Sequence, residues 1–160
     1  MLVLAWGAGL FLATRFFADW EQDRLNPNQN PVSVVQGEQV EVQLQSNSQG
    51  HFVAAGQING QPVTFLLDTG ATDVAIPLEL ADRLELPRGA PVSLQTANGQ
   101  TTGYRTVLDS LGLGDILLRN VRAIVAPGFE GDQVLLGMSA LKQLEFTQRA
   151  GTLVLRQLAR

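Results

Sequence analysis

Side chains able to move a proton or attack a carbonyl are scarce in this sequence, apart from carboxylates. Cysteine is absent, and the single histidine, His51, lies in a polar stretch beside Gln49 and Gly50. That removes thiol nucleophiles, disulfides and cysteine-based zinc sites. It also leaves no serine in a nucleophile-elbow pattern for a Ser-His-Asp triad, and His51 reads as a solvated side chain. The segment that stands out is Phe65-Leu66-Leu67-Asp68-Thr69-Gly70-Ala71-Thr72-Asp73. An apolar run delivers Asp68 to the end of a strand, where a lone charge is costly. Gly70 lets the backbone turn or approach closely behind it. An Asp-Thr-Gly taken alone is ordinary turn chemistry, with the aspartate capping nearby N–H groups. Its setting is what separates this one from a turn.

Positioning such a loop requires a framework, and the surrounding periodicity is that of strands. Val40, Val42 and Leu44 alternate with Glu41, Gln43 and Gln45, the pattern of a half-buried strand. Phe52 to Ile58 and Val63 to Leu67 flank Asn59-Gly60, a dipeptide that favours a tight hairpin because both residues tolerate positive φ. Further strands are predicted over Val92–Thr96, Thr101–Leu108, Ile116–Leu118, Val121–Val125, Val134–Leu136, Phe146–Thr147 and Thr152–Leu155, with turns at Asn98-Gly99, Gly114-Asp115, Arg119-Asn120 and Arg149-Ala150-Gly151. Two short helices are predicted over Pro77–Leu86 and Met138–Leu144. The expected fold is therefore all-β and barrel-like, with two small helices. A hydrophobic content of 45% is enough for a core, and 16 glycines with 7 prolines suit a turn-rich chain. A net charge of −4 with no basic cluster argues against nucleic-acid binding.

Taken together, the apolar run, Asp68-Thr69-Gly70-Ala71, and the downstream Leu135-Leu136-Gly137 followed by a helix resemble the signature of the retropepsins, the retroviral-type aspartic proteases. The resemblance covers roughly residues 50–156. More narrowly, the DTGAT and LLGMSAL stretches, Thr96-Ala97-Asn98-Gly99, and an apolar N-terminal segment before Asn26-Pro27-Asn28 look like bacterial membrane-anchored members. The resemblance implies a closed acid-protease barrel and an aspartic endopeptidase. One Asp-Thr-Gly per chain implies a homodimer, with catalytic residues Asp68, Thr69 and Gly70 contributed twice. Two facing carboxylates share one proton, and the pair then activates a water without cofactor or metal. By the same resemblance Thr69 would hydrogen-bond across the dimer. Ala71, Thr72 and Asp73 would belong to the substrate-binding set: Ala71 would keep the neighbouring space small, and Thr72 stands where viral members commonly carry an aspartate that binds substrate backbone, with Asp73 next to it as a partial substitute. Asn98 and Gly99 would form the tip of a flap over an extended peptide or protein substrate, with an ordinary surface hairpin as the alternative.

Leu2 to Ala18 is apolar apart from Thr14 and Arg15. Residues 1–20 are expected to be a transmembrane anchor, with a cleaved signal peptide as the alternative. Residues 21–38, which include Asn-Pro-Asn-Gln-Asn-Pro, are expected to be a linker, and residues 39–160 the protease domain. Arg15 and Arg24 on the C-terminal flank favour a cytoplasmic domain by the positive-inside tendency. The resemblance instead implies a single-pass protein of the bacterial inner membrane with a periplasmic domain. Two other functions fit parts of the sequence. One is a catalytically inactive dimerisation or peptide-binding module on the same fold. The other is a sugar-kinase or actin-like ATPase, whose Asp-x-Gly-Thr loop holds phosphate; this sequence lacks its length and helical periodicity.

Overall fold

The computed structural model describes residue 14 and residues 20–96, 99–129 and 131–158. Eleven strands and two short helices follow one another as β1 (Val32–Gln36), β2 (Gln39–Gln45), β3 (Val53–Ile58), β4 (Gln61–Leu67), β5 (Val74–Pro77), α1 (Leu78–Arg83), β6 (Pro91–Thr96), β7 (Gly99–Leu113), β8 (Ile116–Ala126), β9 (Gln133–Leu136), α2 (Met138–Leu141), β10 (Glu145–Arg149) and β11 (Thr152–Leu158). Residues 20–25 are also helical.

The strands form two sheets. A larger one has the order β3-β4-β9-β5-β8-β7-β6, and a smaller one β1-β2-β11-β10. The expected closed barrel is resolved into these two sheets. The larger curls far enough for β3 to pair with β7 as well, through Gln57 opposite Gly112 and Ile58 opposite Leu111. Alternation explains the packing: Val42, Leu44 and Leu155 of the small sheet turn inward and join Phe65, Ile76, Leu108, Val125 and Leu136 in one cluster. Burying such side chains contributes about 1.5–3 kcal/mol each.

The turn chemistry read from sequence is present at Asn59-Gly60. Ile58 faces Gln61, and the two central residues take φ of 50° and 78°, as a primed hairpin turn requires. Other boundaries differ. The turn expected at Arg119-Asn120 is absent, and β8 runs through it: Asn120 adopts φ of 52°, yet Leu108 still faces Val121 and Ser110 still faces Arg119. An asparagine tolerates the left-handed region without breaking the strand. Strand β7 likewise continues past Leu108 to Leu113. Both helices are shorter than their apolar spacing suggests. Glu85, with φ of 54°, ends the first.

The linker expected over residues 21–38 is structured in part. Residues 32–36 form β1, paired along its length with β2. Asn28 is buried, and its amide donates to the carbonyls of Gln45 (2.9 Å) and Val53 (2.7 Å). Its Oδ1 accepts the Gln45 N–H at 2.7 Å. The polar composition concealed this because the asparagine replaces a strand partner rather than packing. Apart from Thr14, the segment Leu2 to Ala18 lies outside the described residues. Among the described residues no helix is long and apolar enough to cross a membrane.

Candidate active site

Strand β4 runs parallel to β9, with Leu67 opposite Leu136. The pairing carries one residue further, as the Asp68 N–H donates to the Leu136 carbonyl at 3.2 Å. A half-buried strand, with Val63 and Phe65 in the core, thus brings Asp68 to its end, and the residues after it leave the sheet. The Ala71 N–H returns to the Asp68 carbonyl at 3.2 Å, and the Gly70 N–H donates to Asp68 Oδ1 at 2.8 Å. One carboxylate oxygen is held by the loop's own backbone. Asp68 is half-buried, while Thr69 and Gly70 are exposed.

The other wall of the loop comes from the Leu135-Leu136-Gly137 element. The Met138 N–H donates to the Ala71 carbonyl (2.8 Å) and the Ser139 N–H to the Thr72 carbonyl (2.9 Å). Gly137 is required there because a Cβ would strike the Asp73 carbonyl oxygen and lie 2.7 Å from that of Ala71. These neighbours are backbone atoms and cannot swing aside. Ser139, 4% exposed, ties two strands, β5 and β8, to α2. Its hydroxyl accepts the Val74 N–H at 2.9 Å and donates to the Arg122 carbonyl at 2.7 Å.

Asp68, Thr69, Gly70, Ala71, Thr72 and Asp73 therefore form one loop clamped by α2 and its preceding strand. Asp73 faces the largely exposed Arg122 at 3.7 Å, a separation that makes the pair weak. A pocket of about 140 Å³ opens beside the loop, lined by Asp68, Thr69, Phe52, Leu67, Phe146 and Leu153 among others. Gly99 belongs to a separate segment, the β6–β7 hairpin, which pairs as far as Thr96 opposite Gly99. Asn98 lies outside the described residues. His51 is exposed, as its polar surroundings suggested.

Sequence reasoning missed Ser139 and Arg122. The spacing of Met138, Leu141 and Leu144 drew attention to the apolar face of α2, and the partners of Ser139 are distant in the chain. A serine two residues beyond the glycine, on a helix too short to solvate it, was the available signal.

A carboxylate with one oxygen tied to a backbone N–H and its rim open can accept or donate a proton, but cannot do both to one substrate at once. Comparisons with known proteins bear on this loop. A model of the family described as "gag-polyprotein putative aspartyl protease" matches residues 54–143. The chain is 38% identical over 113 residues to an uncharacterized protein of the cobV 5′ region in Sinorhizobium sp, spanning 69% of this chain and 48% of that one. It is 30% identical over 108 residues to an uncharacterized protein of Rickettsia prowazekii, spanning 66% and 46%. It thus spans about half the length of these relatives. Among solved structures it is similar to a retropepsin-like aspartic protease from Rickettsia conorii, with a TM-score of 0.66 and 28% identity over 81% of this chain and 97% of that one. The fold also matches the EIAV protease complexed with the inhibitor HBY-793, at a TM-score of 0.50 and 22% identity over 62% and 92%. The family model spans more than half the sequence and takes in both the Asp68 loop and the glycine that seats it, so this chain belongs to the retropepsin-like family of aspartic proteases.

Proposed function

We propose that the chain is an aspartic endopeptidase whose active site is assembled from two copies, each contributing Asp68. The observation that carries this reading is the Asp68 loop itself: an aspartate at the end of a half-buried strand, one oxygen held by the Gly70 N–H, beside an exposed Thr69. Nothing in that arrangement needs a histidine or a thiol. With two such loops face to face, the carboxylates share a proton because both cannot ionise cheaply at short range. The ionised member takes a proton from a water held between them, and the water oxygen attacks the scissile carbonyl carbon. The protonated member donates to the carbonyl oxygen. The tetrahedral intermediate collapses as a proton passes to the leaving amine nitrogen and the C–N bond breaks. No covalent acyl-enzyme forms.

In this reading Thr69 locks the two loops together, and Gly70, Ala71, Thr72 and Asp73 present backbone and side-chain groups to the substrate. The β6–β7 hairpin closes over a peptide bound as an extended strand, which Asn98 and Gly99 would contact. The apolar pocket beside Asp68 favours apolar side chains near the cut. Leu2 to Ala18 would hold the protein at the inner membrane with this domain in the periplasm.

A peptide library incubated with the native chain and with Asp68→Asn, from acidic to neutral pH, tests the chemistry. The substitution keeps the shape and removes the base. Cleavage by the native chain alone is the expected result, and equal cleavage by a clean Asp68→Asn preparation would refute the mechanism.

A further inference from the structure

The helix over residues 20–25 stands exposed along its whole length. Trp20 is 51% exposed and Leu25 46%, so the domain leaves its two large apolar side chains uncovered. The Arg24 guanidinium lies over the Trp20 ring, 4.7 Å from its centroid, a cation–π contact. Tryptophan and arginine together suit the layer between water and hydrocarbon, where amphipathic rings settle and long cationic side chains reach the headgroups. Glu21 and Asp23 share the helix, so its draw toward lipid comes from Trp20 and Leu25 rather than from charge. Along a helix axis these two are about 7–8 Å apart, comparable to one headgroup layer of roughly 5–8 Å. The apolar run Leu2 to Ala18 ends just before, with Asp19 alone between it and Trp20.

This helix is not on a loose tether. The Asn47 side-chain amide donates to the Leu25 carbonyl at 3.1 Å, and the Ser48 N–H to the Arg24 carbonyl at 3.4 Å. The Asn28 N–H donates to Asn26 Oδ1 at 3.0 Å, and Asn28 itself is fixed between β2 and β3. From the helix to the site the path is short. The Asn47 N–H donates to the His51 carbonyl at 2.7 Å, and the carbonyl of the next residue, Phe52, accepts the Leu67 N–H at 3.0 Å. Asp68 follows. Three hydrogen bonds and the few residues between them put the Asp68 carboxyl at most roughly 25 Å from the Leu25 carbonyl.

We propose that residues 20–25 seat the domain on the lipid surface and that the site therefore acts on membrane-anchored polypeptides, cutting them in the segment next to their span. The inference rests on the aspartic-peptidase reading of Asp68 and on the membrane reading of Leu2 to Ala18. With Trp20 and Leu25 in the headgroup layer, the clamp at Asn47 and Ser48 prevents the domain from standing off. An extended substrate rises about 3.4 Å per residue, so a scissile bond within reach lies about ten residues or fewer from the bilayer. A soluble chain has no such restriction and finds the site only by diffusion.

The full-length chain in phosphatidylethanolamine–phosphatidylglycerol vesicles tests this. Trp6→Phe leaves Trp20 as the single tryptophan, and lipids brominated near the headgroup should quench it. The decisive comparison uses two single-span reporters carrying a sequence that the peptide library shows to be cut. One places it about ten residues from the span; the other raises it on four EAAAK repeats, about 30 Å of semi-rigid helix. The native chain should cut the near site at least about tenfold faster than the raised one. A variant with the same four repeats inserted between Ala18 and Asp19 should reverse that preference while cutting the soluble peptide at the native rate. Equal cleavage of both reporters by both enzymes would overturn the proposal and leave the peptidase standing. So would an unquenched Trp20, or a native chain that does not float with the vesicles. Failure to cut even the soluble peptide would instead defeat the peptidase reading.

Discussion

Gly137 and Ser139 do not touch a reacting atom in the proposed site, yet they decide where Asp68 sits. Gly137→Ala forces a Cβ against the carbonyls of Asp73 and Ala71. Overpacking of that kind costs about 1–3 kcal/mol, and urea denaturation should show it together with a large loss of peptidase activity. Ser139→Ala removes the acceptor of the Val74 N–H and the donor to the Arg122 carbonyl. Leaving buried backbone groups unpaired costs about 1–3 kcal/mol. A variant whose stability and activity match the native chain would show that the hydroxyl is not needed as a clamp. At this scale the sequence was legible where chemistry is local: Asp68, Thr69 and Gly70 are adjacent, and the apolar run before them is plain. Ser139 was not legible, because its partners are brought near only by β5 and β8.

Among the elements, the small sheet depends on polar contacts that composition hides. Asn28 satisfies three backbone groups of β2 and β3, so Asn28→Ala should lower stability by about 1–3 kcal/mol. The exposed Asn30→Ala should be close to neutral in the same thermal melts. Strands β2 and β11 are joined by Glu41 and Arg156, 2.7 Å apart. Hydrogen bonds from Gln43 and then from Arg156 hold the Glu41 carboxyl below its ordinary value of 4.5. A carboxylate depressed in the folded state contributes stability that is complete above its unfolded value and is lost as pH falls through its folded value. Glu41→Gln should therefore be less stable than the native chain near neutrality, and the difference should shrink below about pH 4.5. A difference that grows on acidification would contradict this. The strand pattern and the Asn59-Gly60 turn were readable because period-two alternation and paired positive-φ residues are local signals. The pairing of residues 32–36 was not, since Val32, Val34 and Val35 remain exposed and carry no alternation to read.

For the assembled protein, the shared-dyad reading makes activity a property of pairs. Both the doubly ionised and the doubly protonated dyad lack one of the two functions, so the pH–rate profile should be bell-shaped. Activity per chain should fall on dilution. In the sequence, the two-copy reading rests on the single Asp-Thr-Gly. The most direct test mixes native chain with an excess of Asp68→Asn chain and follows peptide cleavage. If each site needs Asp68 from two subunits, mixed dimers are inactive, and a large excess of the variant should abolish most of the native activity. If cleavage per native chain is unchanged at every mixing ratio while the two chains demonstrably exchange, one Asp68 suffices and the paired site is wrong.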